Sequence, residues 1–350
     1  MRVLLSPLSW VYALATGIRN VAFDAGLVRI RKVSVPVISV GNFTAGGTGK
    51  TPFVEFLLPH LLGKGYHPAV VSRGYGRSSS GVVIVARHGR VVVDARAGGD
   101  EPVQIARKFP EVSVVVGEWR ADAAEVAVRE CGADVILLDD GFQHRWLHRD
   151  LNIVILDARE NALKEELLPA GMKREGNRAL RRAGLVGLSH ADPAKEPSWM
   201  RSVGRWYDGK SFSFRTNIDA FLQMSELVGK PALQMKGRRL VAFSGIGDHA
   251  AFLTSLKDAG CAIVGDRAFG DHHEFKDSDI REILGVASEV HADGCITTEK
   301  DLTRLLADHT LCRTLSEAIP VFYATIRVEI VRGMEELESA LEQCLHQLGN

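Results

Sequence analysis

Short β-branched runs alternate with segments of helical spacing along much of the chain, beginning at residue 33. In the first half, the predicted strands are Val33–Val40, Pro68–Ser72, Val112–Val116, Asp134–Leu138 and Asn152–Leu156. The predicted helices are Pro52–Gly63, Glu101–Lys108 and Ala121–Cys131, and Gly81–Asp94 is predicted to form a hairpin. This alternation is typical of an α/β fold, in which helices cover both faces of a parallel sheet.

The pattern breaks between about Asp192 and Gly237, where Pro, Ser, Trp and charged residues become more frequent and Ser211–Arg215 is a candidate hairpin strand. A second α/β run follows, with elements predicted at Leu240–Ser244, Ala250–Ala259, Ala262–Val264, Ser278–Val286, Gly294–Thr298, Leu302–Ala307, Val321–Ala324 and Met334–Leu348. We expect one domain over residues 1–210, a β-linker over 211–238 and a smaller α/β domain over 239–350. The terminal helix is a candidate to pack on the first domain.

The N-terminal segment Leu4–Ile18 is apolar and includes Trp10 and Tyr12. It is shorter than the roughly 20 apolar residues of a membrane-spanning helix, and no convincing signal-peptidase site follows it. One interpretation is a helix that packs in the core. The other is an interfacial helix that dips its apolar face into a membrane. The basic residues that would then face lipid phosphates are Arg19, Arg29, Arg31 and Lys32.

Composition argues against nucleic-acid binding, a disulfide framework and a zinc site. The 350 residues carry 43 Lys and Arg against 43 Asp and Glu, so no general basic field indicates nucleic-acid binding. The five cysteines are scattered and lack C-x-x-C spacing. We therefore expect neither a disulfide framework nor a zinc site, and a reducing cytosol fits.

A glycine-rich loop follows the first predicted strand and opens the first predicted helix. Its residues are Thr44, Ala45, Gly46, Gly47, Thr48, Gly49, Lys50 and Thr51. Glycines let backbone N–H groups curl around phosphate, and the helix N-terminus adds the positive end of its dipole. Lys50 is predicted to contact the β- and γ-phosphates of ATP, and Thr51 to bind Mg²⁺. Thr44 departs from the pattern G-x-x-x-x-G-K-[ST], which has glycine there.

Acidic residues stand next to the predicted strand ends and helix starts. Asp139 and Asp140 end a buried strand, where P-loop enzymes hold magnesium, although two helix-capping acids are the alternative. Asp100 precedes a helix and is either its cap or a base for a substrate hydroxyl. The donor-rich segment Gly141–Arg145 is predicted to be an active-site loop.

The second half offers two further candidate segments. Asp271–Phe275 contains two histidines, but a third metal ligand is not evident at suitable spacing. The alternative is that one histidine pairs with a carboxylate across the domain cleft. Thr298–Asp301 is either a nucleotide contact or a simple helix cap.

Several motifs together resemble the tetraacyldisaccharide 4'-kinase family, the lipid A 4'-kinases of Gram-negative bacteria. They are Val40–Pro52, Ser72–Arg77, Gly99–Pro102, Asp139–His144, Leu167–Gly171, Asp271–His273 and Thr298–Asp301, in the family's order. The P-loop alone is generic, whereas Ser72–Arg77 and Asp139–His144 are far more specific. The family also carries threonine at the position of Thr44.

The resemblance implies transfer of the γ-phosphate of ATP to the 4'-hydroxyl of a tetraacyldisaccharide 1-phosphate. It implies a peripheral protein at the cytoplasmic face of the inner membrane, which favours the interfacial interpretation of Leu4–Ile18. Asp100 and His272 are implied to form the catalytic base pair, with Lys50 on the phosphates. The implied Mg²⁺ residues are Thr51, Glu101, Asp139 and Asp140. The implied substrate-site residues are Arg73, Gln143 and His144.

The resemblance also implies a P-loop domain and a smaller α/β domain with the active site between them. No nucleic acid and no obligate protein partner are expected. The alternative is a P-loop GTPase switch or metal chaperone, because Thr298–Asp301 faintly resembles a guanine-reading motif. A comparison of ATP with GTP binding distinguishes the two hypotheses.

Overall fold

A largely parallel sheet forms the centre of the molecule in the computed structural model, which describes residues 2–224 and 234–346. The strands are β1 (Val37–Asn42), β2 (Pro68–Ser72), β3 (Val83–Arg87), β4 (Arg90–Val91), β5 (Ser113–Val116), β6 (Val135–Asp139), β7 (Leu151–Asp157), β8 (Leu185–Ser189), β9 (Ser211–Gln223), β10 (Arg239–Ser244), β11 (Ala262–Ala268), β12 (Gly294–Thr298) and β13 (Val321–Arg332). The helices are α1 (Arg2–Asp24), α2 (Lys50–Gly63), α3 (Ala95–Gly98), α4 (Asp100–Lys108), α5 (Arg120–Cys131), α6 (Met200–Val203), α7 (His249–Asp258), α8 (Asp277–Glu289), α9 (Glu299–Leu305), α10 (His309–Ala318) and α11 (Met334–His346).

The strand order places β1 inside the sheet, between β7 and β6, and both neighbours run parallel to it. The order across the described residues is β11-β10-β12-β13-β9-β8-β7-β1-β6-β2-β5-β3-β4. Because parallel strands end at the same edge, the loops after β1, β6 and β7 converge there.

Helices cover both faces of the sheet. Successive side chains of β1 point to opposite faces, so each face contributes apolar side chains to a different core cluster. Ile38 and Val40 are buried in the core cluster that also contains residues of α2, α4 and α11. Val37 is buried on the other side with alanines of α5. The predicted α/β fold with helices on both faces is therefore confirmed.

Two long antiparallel strands join the halves of the sheet. β9 pairs with β13 along most of their lengths, from Phe322 opposite Gln223 to Arg332 opposite Ser213. Beyond β13, α11 returns to the first half, where Leu337 and Leu341 are buried in the same cluster as α2. The sheet is continuous through this junction, and the domain boundaries stay a prediction.

Several element bounds differ from those predicted. The first strand begins at Val37 rather than Val33, because residues 33–36 precede the ladder with β6. The predicted strand Ser211–Arg215 is the beginning of the 13-residue β9. β8 and α10 had no counterpart among the predicted elements. β8 (Leu185–Ser189) is held as a strand by its hydrogen-bonded partner β7. The local sequence pattern alone was therefore insufficient to predict β8.

The helix α1 stands outside the sheet and exposes an apolar stripe. Its side chains Leu8, Trp10, Val11, Leu14, Ile18 and Val21 are 55–74% exposed, which excludes core packing for this face. Among the helices described, none has both the length and the apolarity that a membrane crossing requires.

The opposite face of α1 is bonded to the body of the protein. Tyr12 donates to the Arg174 carbonyl at 2.9 Å, and Arg19 lies 2.7 Å from the buried carboxylate of Glu175. Arg31 pairs with acids of α5. Arg19 and Arg31, which were expected to face lipid, thus have carboxylate partners within the protein, while Arg29 and Lys32 are exposed.

Candidate active site

The glycine-rich loop lies at the carboxyl end of β1 and leads directly into α2. Gly49 precedes the helix with a φ of 79°, in the left-handed region that glycine adopts at little cost. The Asn42 side chain donates to the Thr48 hydroxyl at 3.1 Å, and the Ala45 N–H donates to the Met172 carbonyl at 2.7 Å. These bonds brace the loop from its own strand and from the segment beside it.

The first residues of α2 meet the acids that end β6. Val40 of β1 is the register partner of Asp139, so the two strands end together. The Thr51 hydroxyl donates to Asp139 Oδ2 at 3.2 Å, and Lys50 Nζ lies 3.8 Å from Asp140 Oδ1. The structure therefore brings Lys50 and Thr51 to the two acids predicted to bind metal at the end of β6.

Asp139 is buried and incompletely bonded. It is 4% exposed, and its Oδ1 atom has no hydrogen-bond partner among the described residues. Burial, followed by the charges of Glu101 and Asp140, raises the pKa of Asp139 to about 7. Both observations fit a cation beside this carboxylate, because a positive charge would relieve the crowding of acids and occupy the orphaned oxygen.

Asp140 adopts a left-handed backbone conformation, with a φ of 50°. Arg174 Nη1 donates to both of its carboxylate oxygens at 2.8 Å. Burial acts to raise the pKa of Asp140, but the charges of Lys50 and Arg174 outweigh it and hold the pKa below its usual value. Sequence reasoning missed Arg174, since no spacing rule connects it to Asp140; its only signal was the family motif Leu167–Gly171 just before it.

Asp100 and His272 meet across the two halves of the sheet. The Nδ1 atom of His272 lies 3.0 Å from Asp100 Oδ2, and Asp100 is 7% exposed. Burial acts to raise the pKa of Asp100. The hydrogen bond from His272 and the charges of Lys300 and Arg304 outweigh it and hold the pKa well below its usual range. The predicted acid–histidine pair is thus assembled, with the acid ionised.

Two cations of α9 complete this cluster. Lys300 Nζ lies 3.0 Å from Glu101 Oε1, and Arg304 donates to Asp100 Oδ2 through Nε at 2.9 Å and Nη2 at 2.5 Å. Neither residue was among the predicted site residues. Lys300 lay in a recognised motif, and Arg304 follows it by one helical turn on the same face, which is the signal that could have found it.

The three residues predicted to line the substrate site occupy different surroundings. Gln143 donates to the Asn42 carbonyl at 2.8 Å, next to the phosphate-binding loop, and Arg73 is exposed. His144 is buried, with its ring centroid 5.4 Å from that of Trp146. Burial, then the charges of Arg120 and other arginines, lowers the pKa of His144 to about 3, so its ring is neutral.

The remaining candidates are engaged locally. His273 Nε2 lies 2.8 Å from Asp279 Oδ2, whereas His272 pairs with Asp100. The two adjacent histidines therefore contact different carboxylates instead of sharing one metal. Thr298 caps α9, because its hydroxyl accepts from the Asp301 N–H at 3.1 Å. Of the two interpretations of Thr298–Asp301, the helix cap is therefore the one that the geometry matches.

A P-loop that joins a parallel strand to a helix, two acids at the end of the neighbouring strand and an acid–histidine pair together define the chain as a P-loop phosphotransferase. The family model of LpxK, tetraacyldisaccharide-1-P 4'-kinase, matches residues 1–346, and the chain belongs to this family. The predicted family and kinase activity in lipid A biosynthesis are confirmed, and the GTPase or metal-chaperone alternative finds no support.

Curated relatives match along nearly the whole chain. The tetraacyldisaccharide 4'-kinase of Anaeromyxobacter sp. (strain Fw109-5) is 39% identical, with 98% of this chain and 92% of the relative aligned. That of Chlorobium limicola is 35% identical, with 98% and 97% aligned. Among solved structures, LpxK from Aquifex aeolicus, determined in complex with ATP, superposes with a TM-score of 0.78 at 34% identity, covering 98% of this chain and 99% of that one.

Proposed function

We propose that the chain transfers the γ-phosphate of ATP to the 4'-hydroxyl of a tetraacyldisaccharide 1-phosphate at a membrane surface. The observation that carries the proposal is the convergence of Thr51, Asp139 and the Asp100–His272 pair at one edge of the sheet. The charge of Glu101, next to Asp100 in sequence, acts on Asp139 strongly enough to raise its pKa. The proposed base is therefore next in sequence to a residue that acts electrostatically on the proposed metal site.

The nucleotide is assigned to the loop Thr44–Thr51. Backbone N–H groups of the loop and the N-terminus of α2 would bind the phosphates, with Lys50 on the β- and γ-phosphates. The ATP complex of the Aquifex relative supports ATP as the donor. The γ-phosphate would then lie near the acids at the end of β6, because Lys50 and Thr51 both contact those acids.

Mg²⁺ is assigned to Thr51, Glu101, Asp139 and Asp140. The unpartnered Oδ1 atom of Asp139 is the observation that fits a cation. Within the described residues, no three His, Cys, Asp or Glu side chains are gathered as a complete metal site, so phosphate and water oxygens would complete the shell, as magnesium prefers. When bound, the ion supplies charge neutralisation on the transferring phosphate.

Asp100 is the proposed acceptor of the hydroxyl proton. As the 4'-oxygen bonds to the γ-phosphorus and ADP leaves, the hydroxyl proton passes to the Asp100 carboxylate. A carboxylate of low pKa is a weak base, which suits a loose transition state in which the proton moves late. His272 orients this carboxylate through its 3.0 Å bond.

The exposed stripe of α1 is the proposed contact with the cytoplasmic face of the inner membrane. An acylated acceptor stays in the bilayer, so the enzyme has to reach the lipid there. α1 is also bonded to the site, since Tyr12 donates to the carbonyl of Arg174 and the Arg174 side chain binds Asp140. Arg73, Gln143 and His144 are the proposed acceptor-site residues.

Phosphate transfer from γ-labelled ATP to the purified disaccharide acceptor tests the proposal. Wild type is expected to label the lipid and to use GTP poorly. Lys50→Ala is expected to lose transfer, whereas Lys257→Ala, at an exposed position of α7, is the matched control and should keep it. Preference for GTP, or equal transfer by Lys50→Ala, contradicts the proposed reaction.

A further inference from the structure

The carboxylate of Asp100 is bonded very unequally at its two oxygens. Oδ2 accepts from Arg304 Nε and Nη2 and from His272 Nδ1, at 2.9, 2.5 and 3.0 Å. Lys300 Nζ lies 3.9 Å from the same oxygen. Oδ1 accepts the backbone N–H of Glu101 at 2.9 Å. The charged donors are thus gathered on Oδ2.

Arg304 is itself held rigidly by the second half of the chain. Its Nη1 atom donates to the Gly245 carbonyl at 2.6 Å and to Asp301 Oδ1 at 2.8 Å. Asp301 is fully buried and also accepts the Gly245 N–H at 3.1 Å. The guanidinium, which is 8% exposed, therefore presents a fixed edge to Asp100.

We infer that Arg304 is a positioning residue that sets the rotation of the Asp100 carboxylate. It occupies Oδ2 and leaves Oδ1 as the oxygen that receives the acceptor proton. A planar guanidinium with two donors on one oxygen fixes a carboxylate plane in a way that a single ammonium cannot. This inference rests on the proposed function, and it assigns a role to a residue outside the recognised family motifs.

Arg304→Gln and Arg304→Lys test this role in the lipid-transfer assay on the full chain. We expect Arg304→Gln to lower kcat by about 10- to 100-fold, because small misplacement of a reacting group is costly. KM for ATP and for the lipid should change by less than about threefold, since Arg304 bonds Asp100 rather than the proposed substrate contacts. The kcat of Arg304→Lys should lie between those of wild type and Arg304→Gln, because lysine keeps the positive charge but lacks the paired N–H donors of the guanidinium.

A double-mutant cycle separates this role from a merely structural one. If Arg304 acts through Asp100, then adding Arg304→Gln to Asp100→Asn should reduce single-turnover transfer by less than about threefold further. If Arg304→Gln acted by general destabilisation, it would instead lower single-turnover transfer by the same factor in the wild-type and Asp100→Asn backgrounds. Arg313→Gln is the control, because the side chain of this α10 arginine is 71% exposed and forms an ion pair with Glu317, away from Asp100.

The outcomes are distinct. Unchanged kcat in Arg304→Gln, or the same loss in the Asp100→Asn background, overturns the inference while wild-type transfer still supports the proposed function. Wild type that labels no lipid rejects the proposed function and this inference with it. If Arg304→Gln does not fold, Arg304→Lys is used in the same double-mutant cycle. The inference is overturned if Arg304→Lys lowers transfer by the same factor with Asp100→Asn as without it.

Discussion

His272 Nδ1 lies 3.0 Å from Asp100 Oδ2, although 172 residues separate the two in sequence. One residue begins α4 in the first half of the sheet, and the other lies in the loop after β11 in the second half. Their contact makes the proposed base a property of both halves of the molecule. Replacement of either residue should therefore slow the same step of the reaction, the transfer of the hydroxyl proton.

Asp100→Asn should lower kcat by about 10²- to 10⁴-fold, the usual contribution of a general base. His272→Ala should lower it less, by about 10- to 100-fold, because the carboxylate remains and loses only one of the partners that hold it in place. Steady-state kinetics with both substrates measures this. Asp258→Asn, on the exposed surface of α7, should be indistinguishable from wild type. Full activity in Asp100→Asn removes this residue from the chemistry.

Asp139→Asn should abolish most transfer while leaving the unliganded fold intact. The amide is isosteric, keeps an acceptor for the Thr51 hydroxyl and removes a crowded buried charge. Thermal unfolding should show a melting temperature no lower than wild type without ligand. The rise on addition of ATP and Mg²⁺ should shrink relative to wild type. An undiminished rise would contradict the assignment of the cation to Asp139.

His144 should remain neutral throughout the physiological range. Burial lowers its pKa to about 3, below the unfolded value of about 6.5. The unfolded state therefore binds more protons between these values, so the His144 contribution to stability falls as pH decreases from about 6.5 toward 3. His144→Gln should weaken this pH dependence of the unfolding free energy, measured by urea unfolding. An NMR titration of His144 near pH 6.5 would contradict the prediction.

The exposed stripe of α1 should control membrane binding. Replacing Trp10, Leu14 and Ile18 with glutamate should cut binding to vesicles that contain anionic lipid by at least about tenfold, because it removes apolar area and adds repulsion. Vesicle co-sedimentation measures this. Val92→Glu, at another exposed apolar position, is the control. Undiminished sedimentation of the α1 variant rejects the stripe as the contact.

Much of this organisation is predictable from sequence because it is local. The phosphate-binding loop needs only a strand, glycines and a helix start within about fifteen residues, and β1, Gly49 and α2 supply them. The α/β fold follows from the alternation of buried strands and helices for the same reason. The resemblance then supplied the distant partners Asp100 and His272, which spacing alone could not pair.

The unpredicted parts depend on tertiary placement. Arg174 reaches Asp140 because the segment after β7 folds back beside the loop, and nothing in its local sequence encodes that path. Arg304 reaches Asp100 only because α9 packs against α4. The full length of β9 likewise depends on its partner β13, which lies about a hundred residues downstream.

The position of the new phosphate on the product tests the proposed 4'-kinase reaction most directly. Wild-type enzyme, ATP and Mg²⁺ are incubated with the tetraacyldisaccharide 1-phosphate, and the product is analysed by phosphorus–proton correlation NMR. We predict one added phosphate monoester, coupled to the proton on the 4'-carbon, and none with Asp100→Asn in the same time. Phosphate at another position, or an unmodified lipid with ATP hydrolysed to ADP, would contradict it.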